Sequence, residues 1–114
     1  CGVPEAQKHS LNVRHLNVLF MWYVYILFSK KLNGYYIGQS GDVALRLRYH
    51  NELSEHSYTS RYRPWELRRA YGFNTRREAI LAERYIKGRK SRNFVEWLLE
   101  KEDAVSWLQS RIDG

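Results

Sequence analysis

Cysteine is almost absent from this chain: Cys1 is the single one among 114 residues. One thiol excludes an internal disulfide and a cysteine-rich zinc site, and it suits a reducing compartment, here expected to be the cytoplasm. The four histidines, His9, His15, His50 and His56, show no zinc-ligand spacing with one another. Long hydrophobic runs are missing too. The longest uncharged apolar stretch, Val18 to Phe28, falls well short of the ~20 residues a membrane span needs. Its aromatic content reads as a buried strand, and no membrane partner is expected. Internal repeats and low-complexity segments are likewise lacking. Acidic residues are in deficit, 12 Asp and Glu against 19 Lys and Arg, for a net charge of +7. That balance favours a polyanionic partner.

What is present is enough for one domain. With 44% hydrophobic and 15% aromatic residues, a chain of this length can bury a core. Residues 1–20 have weak periodicity and read as an N-terminal extension, disordered or artefactual. Without its Glu5, Lys8 and Arg14 the remainder carries 17 basic against 11 acidic residues, or +6. The basic character therefore belongs to the compact part. The expected division is a domain over 21–101 and a C-terminal helical segment over 102–114.

Trp22 to Phe28 is aromatic and β-branched, as strands are. Asn33-Gly34 is a tight-turn signal, and Tyr35 to Gln39 then forms the second strand of a hairpin. Ser40 is placed to cap a helix from about Gly41 to Leu53, with Val43 and Leu47 facing the core. Residues 51–64 are polar and read as a loop. Trp65 to Phe73 alternates apart from Arg69, which predicts a third strand. Thr75-Arg76-Arg77-Glu78 has the form of a capping box that opens a helix to about Lys87, ended by Gly88. Ser91 caps a further helix with Phe94, Trp97 and Leu98 on one face. Val105, Leu108 and Ile112 mark a last one. The order predicts an α+β fold, a three-stranded antiparallel sheet flanked by helices.

Tyr23-Val24-Tyr25 and Tyr36-Ile37-Gly38 stand ten residues apart, followed by Arg46-Leu47-x2-His50-Asn51 and by Glu78-Ala79-x3-Glu83. This ordered set resembles the GIY-YIG nucleases, and Ile86-Lys87-x2-Lys90-Ser91-Arg92 is similar to a basic element of the small stand-alone members. The resemblance spans about residues 22–99. It implies the same α+β fold and hydrolysis of DNA phosphodiesters, with RNA not excluded, using one Mg²⁺ or Mn²⁺. Two departures are visible. Many members carry Lys after the second motif where this chain has Gln39, and the first motif reads Tyr-Val-Tyr rather than Gly-Ile-Tyr.

By that resemblance Tyr25 is the candidate general base and Tyr36 positions water or phosphate. A phenol titrates near 10, so ionising it at neutral pH costs about 4 kcal/mol unless a cation stands close. Arg46 and His50 are i and i+4 and share a helix face. Arg46 can offer paired donors to phosphate, and His50 can orient a phenol or shuttle a proton. Ala79, Ala82, Glu83 and Ile86 fall on one helical stripe, where small neighbours leave room for an ion at Glu83. Magnesium takes one or two carboxylates, waters and phosphate oxygens, so Glu83 suffices as the protein ligand. Gln39, Tyr58, Arg61, Arg63, Arg69, Lys87, Lys90 and Arg92 are candidate nucleic-acid contacts, where basic and aromatic groups interleave. No separate recognition segment stands within 21–101, which favours selection of a DNA structure over a long base sequence. The alternative is a nucleic-acid-binding module on the same fold without turnover. Oligomeric state is open at this stage.

Overall fold

A computed structural model of the protein describes residues 21–112; the expected extension over 1–20 lies outside the described residues. Three strands, β1 (Trp22–Ser29), β2 (Gly34–Ser40) and β3 (Trp65–Phe73), form one antiparallel sheet in the order β2-β1-β3. Four α-helices accompany it: α1 (Val43–Arg48), α2 (Arg76–Arg89), α3 (Arg92–Glu100) and α4 (Ala104–Ile112). The expected α+β architecture is the observed one.

β1 is central and buried on both faces, which is why it reads as an unbroken apolar run rather than an alternating one. Val24 and Ile26 point to the larger core, where Ala79, Ala82 and Ile86 of α2, Leu98 of α3 and Leu108 of α4 meet them. Tyr25 and Leu27 point to the opposite face, where Trp65, Tyr36, Val43 and Leu47 enclose a smaller cluster. Strand period two thus separates a structural face from a chemical one.

Several local expectations shift for identifiable reasons. The hairpin turns over Lys30–Asn33, with Asn33 in the left-handed region (φ 55) and Gly34 already in β2. Asp42, not Ser40, caps α1: its carboxylate accepts from Leu45 N at 3.0 Å, while Ser40 Oγ accepts from Asp42 N. The helix expected to reach Leu53 stays α only to Arg48 and widens into a π-turn over Tyr49–Leu53. Thr75 caps α2 by accepting from Glu78 N at 3.1 Å. The return half of that capping box is missing among the described bonds, and Glu78 Oε1 is buried without a partner. Gly88 lies within α2, which continues to Arg89 and closes on Lys90 in the left-handed region (φ 48). β3 carries a bulge between the partners of Ile26 and Leu27, which leaves Leu67 exposed. On α3, Phe94 and Leu98 are buried as expected but Trp97 faces outward.

Arg69 explains its own break in the strand pattern. Its Nη1 donates to the carbonyls of Leu98 (3.2 Å), Leu99 (3.1 Å) and Lys101 (2.6 Å), at the C-terminal end of α3. Terminal helix carbonyls lack intrahelical partners and carry partial negative charge, so a cation fits there. Arg69 is therefore a cap for α3, not a free contact for nucleic acid. Arg69→Ala is expected to lower stability by about 2 kcal/mol, the scale of lost charge-assisted hydrogen bonds, read as a lower urea midpoint. Arg69→Lys should recover part of that loss.

Candidate active site

Cross-strand register builds the first part of the site. Tyr25 lies opposite Gly38, and Leu27 opposite Tyr36. Directly paired residues share a face, so both phenols stand on the smaller, chemical face. Tyr25 is 1% exposed and Gly38 is buried against it. A Cβ at Gly38 would lie 2.5 Å from Tyr25 Cζ and collide with the hydroxyl. The glycine of the second tyrosine motif is there because the first tyrosine needs its space.

The buried hydroxyl must find a partner. It meets His50 Nε2 at 3.1 Å, and His50 Nδ1 meets Thr59 Oγ1 at 2.9 Å. His50 is 2% exposed. Burial first, then the charges of Arg46 and Arg63, lower its pKa from 6.5 to about 4. At neutral pH the imidazole is uncharged, with one donating and one accepting nitrogen. Burial raises the Tyr25 pKa above its usual 10, opposed mainly by Arg46 and reinforced by Tyr36 and Glu83. The phenol therefore keeps its proton and donates to Nε2, and Nδ1–H donates to Thr59. The chain of hydroxyls runs on from Thr59 to Ser57 (3.3 Å) and Ser54 (2.6 Å).

The π-turn is what delivers His50. Ser54 N donates to Tyr49 O at 2.9 Å, an i to i+5 bond. The wider turn buries His50 while Arg46, one turn earlier, remains half-buried beside the Tyr25 hydroxyl, its guanidinium 4.4 Å from the Tyr49 ring centre. The following segment is held by Arg63, which donates to His50 O at 2.5 Å and to Ser54 O. Asn51 also secures it, exchanging two bonds with the backbone of Trp65 at 3.0 and 2.6 Å. Trp65 in turn donates from Nε1 to Thr59 O at 2.8 Å. Tyr36 packs edge-on to His50, ring centres 4.8 Å apart, and to Trp65 at 6.0 Å.

Glu83 arrives from the other side. Ala79, Ala82 and Ile86 of its stripe are buried, and its own side chain sits at the rim, 18% exposed. Its Oε2 is 2.8 Å from Lys87 Nζ, and that ammonium is 5.9 Å from the Tyr36 ring centre. Tyr25, Tyr36, Arg46 and His50 thus come together on one face, and Glu83 is linked to them through Lys87 beside the Tyr36 ring and through the effect of its charge at Tyr25. No group of three or more His, Cys, Asp or Glu side chains stands together among the described residues. His50 spends both nitrogens elsewhere. The donor set is one carboxylate oxygen group with a cation already drawn to it, which fits a hard ion that keeps waters and takes phosphate oxygens, as Mg²⁺ and Mn²⁺ do.

The candidate nucleic-acid contacts divide. Tyr58 and Arg61 are exposed on the segment beyond His50. Lys90 is exposed at the end of α2. Arg63 and Arg69 spend their guanidinium donors on backbone carbonyls. Arg92 donates to Asn33 O at 2.7 Å and pairs with Glu96 at 3.1 Å, tying α3 to the hairpin. Gln39 accepts from Trp22 Nε1 and lies opposite Val24, on the structural face, away from the phenols. The sequence reading missed Thr59, Asn51 and Trp65 as supports of His50. A polar loop gives no signal of which hydroxyl will meet a buried ring.

Comparison with known proteins agrees with this arrangement. The family model described as the GIY-YIG catalytic domain matches residues 21–95. A UPF0213 protein of Streptococcus pneumoniae serotype 4 is 36% identical over 81 residues, covering 71% of this chain and 81% of that protein. The UPF0213 protein YazA of Bacillus subtilis strain 168 is 36% identical over 78 residues, 66% of this chain and 79% of its own. No solved structure matches the chain.

Two outcomes are expected from the buried pair. Gly38→Ala should displace the Tyr25 hydroxyl and destabilise the fold by about 1–3 kcal/mol, the range for overpacking, seen as a lower thermal midpoint. His50 is neutral in the folded chain down to about 4, whereas an unfolded histidine takes its proton near 6.5. Between those values the unfolded state binds more protons, so stability falls as pH falls through that window, by at most about 1.4 kcal/mol per pH unit from this group. Its ring carbon signals in NMR should hold still from pH 8 to 5 and move only on approach to 4.

Proposed function

Since the chain belongs to the GIY-YIG catalytic domain family, a nuclease fold, we propose that it is a divalent-metal-dependent endonuclease that hydrolyses DNA phosphodiesters. The observation that carries this reading is the Tyr25–His50 hydrogen bond, with Arg46 beside it and Glu83 within electrostatic range.

Hydrolysis needs a proton taken from water and charge stabilised on phosphate oxygens. Tyr25 cannot do the first alone, because burial holds its proton on. His50 resolves the difficulty. As Tyr25 accepts a proton from water, it passes its own to Nε2, so neutral His50 is the terminal acceptor. The protonated ring then keeps Nδ1–H on Thr59. Arg46 lowers the His50 pKa while its charge is unopposed. A phosphate bound to Arg46 offsets that charge, which makes the imidazole more basic when substrate is present. Arg46 presents a planar fork to two phosphate oxygens. Tyr36, braced by His50 and Trp65, supplies a second hydroxyl from the same face of the sheet. A Mg²⁺ or Mn²⁺ ion held by Glu83 would supply Lewis-acid stabilisation of the phosphate charge.

DNA is the proposed substrate, in a distorted or branched form. The exposed cations around the site suit phosphates, which carry no sequence information. The described helices are committed to the sheet rather than set to enter a groove. The cytoplasm is the proposed compartment. A binding module without turnover is the competing reading, favoured by the ion pair that Lys87 makes with Glu83.

Nicked, flapped and single-stranded DNA incubated with the protein and Mg²⁺ or Mn²⁺ should be cut, and chelator should stop it. Tyr25→Phe and His50→Ala should each lower kcat by about 10²–10⁴-fold, the range for a lost proton-transfer group. Glu83→Gln should abolish cutting while DNA affinity in chelator persists. Equal cutting by wild type and Glu83→Gln would sink the enzyme reading.

A further inference from the structure

Two hollows follow one another from the Glu83–Lys87 pair along the corner between α2 and α3, on the structural face of the sheet. The nearer encloses about 340 Å³ between the hairpin and the helices. Ile37 and Val95 floor it, Tyr35 makes one wall, and Lys87 and Lys90 stand on its rim. Lys87 is also the residue in contact with Glu83. The farther encloses about 390 Å³ and is built from Phe94, Trp97, Trp107 and Arg89. Ser91 lines both, so centre, first hollow and second hollow are consecutive.

The second hollow has no part in the chemistry above. Trp97 is 45% exposed, although a tryptophan on an amphipathic helix would ordinarily face the core. It stacks on Phe94 at 5.7 Å with 30° between planes, and Trp107 meets it edge-on at 4.9 Å. Cations border the rings: Lys101 at 5.3 Å from Trp97, Arg111 at 4.7 Å from Trp107 and Arg89 at 4.9 Å from Phe94. Two carboxylates stand at the edges, each already paired: Glu96 accepts from Tyr35 (3.2 Å) and Arg92 (3.1 Å) beside the first hollow, and Asp103 holds Lys101 at 3.0 Å. Each volume lies at the small end of the roughly 300–1,000 Å³ usual for ligand sites, the scale of one nucleotide.

Flat aromatic plates alternating with cations are what an unpaired strand requires, since its bases have free faces and its phosphates recur between them. A duplex cannot use the plates, because its bases already stack on one another. We propose that the α2–α3 corner is a track for two unpaired nucleotides of a single strand next to the Glu83 centre, one base over the Ile37–Val95 floor and one against Trp97. Lys87 and Lys90 hold the phosphate between the centre and the first hollow, and Arg89 the one before Trp97. The track rests on the endonuclease reading and deepens it: the preferred substrate carries a single-stranded arm.

The test is a binding titration of the full chain in chelator at low salt, followed by tryptophan emission. The probes are a 12-nucleotide oligodeoxythymidylate and a 12-base-pair duplex. The single strand should quench the emission and bind about tenfold or more tighter than the duplex. Trp97→Ala should weaken single-strand binding by about fivefold or more, the scale of one lost stacking plate, and leave duplex binding unchanged. Trp97→Phe should keep most of the affinity, followed by anisotropy of a labelled strand. Lys90→Gln should flatten the salt dependence of single-strand binding by about one phosphate contact. Unchanged affinity in Trp97→Ala, an equal loss on both probes, equal quenching by polyglutamate, or emission that follows protein concentration rather than DNA would each overturn the track. Intact cutting with Trp97→Ala indifferent to a single-stranded arm removes the track alone. Trp97-dependent binding with no cutting by any form removes the enzyme reading alone.

Discussion

A phenol and an imidazole buried against each other at 3.1 Å set the terms for the rest of this molecule. Neither group tolerates burial without a partner, and each is the other's. Gly38 must lack a side chain for the hydroxyl to fit. The helix after β2 widens over Tyr49–Leu53, and position 50 is buried in that turn while position 46 stays half-buried in the α-helical part. The far side of the ring needs a hydroxyl, which brings Thr59 inward, and the segment carrying Thr59 has to be closed by Arg63, Asn51 and Trp65. Removing one partner would leave a buried polar group unsatisfied, whereas the intact chain spreads that demand over β1, the π-turn and the loop.

The same pairing settles how the charges are distributed. Desolvation keeps both groups neutral, so the pair stores one mobile proton rather than a charge separation. Formal charge is placed around it instead, with Arg46 on one side and Glu83 with Lys87 on the other. A phosphate bound by Arg46, as proposed, would alter the environment that holds His50 uncharged. Catalytic competence on this view is conditional on substrate. Such a site does not require an ionised tyrosine in the resting protein, which burial would make costly.

How far the sequence discloses this depends on which physical rule governs each residue. Strand parity and the ten-residue gap suffice to put Tyr25 and Tyr36 on one face, because register converts spacing directly into direction. The Ser91 and Thr75 caps follow from local chemistry and are found as expected. Asp42 takes the cap expected of Ser40 because two acceptors compete within three residues and tertiary position decides. The π-turn is invisible in sequence: the polar run after Arg48 carries no signal that the helix widens over Tyr49–Leu53 around a buried His50. Arg63 and Arg69 are the sharpest case. Composition marks them as phosphate contacts, yet their donors are consumed by carbonyls of the loop and of α3. Whether a guanidinium is free depends on unsatisfied backbone at distant positions, such as 98 and 101, which no local pattern encodes.

The position of Glu83 follows from how α2 packs. α2 packs on the structural face, and Ala79, Ala82 and Ile86 fix its rotation by burial. That rotation leaves position 83 at the rim of the stripe, its side chain 18% exposed. A carboxylate there is shielded enough for its charge to be felt at Tyr25 yet open enough to avoid the full cost of burial. Lys87, with half its side chain exposed, holds it in place through an i, i+4 pair. Pairs of that kind contribute only a few tenths of a kcal/mol, so a cation of higher charge density can displace the ammonium at little cost. The freed lysine remains tethered one turn along α2, between Glu83 and the first hollow, where a phosphate next to the scissile one would come to rest. The small-residue stripe that secures α2 to the sheet thereby also sets the distance between the carboxylate and the strand it is proposed to cut.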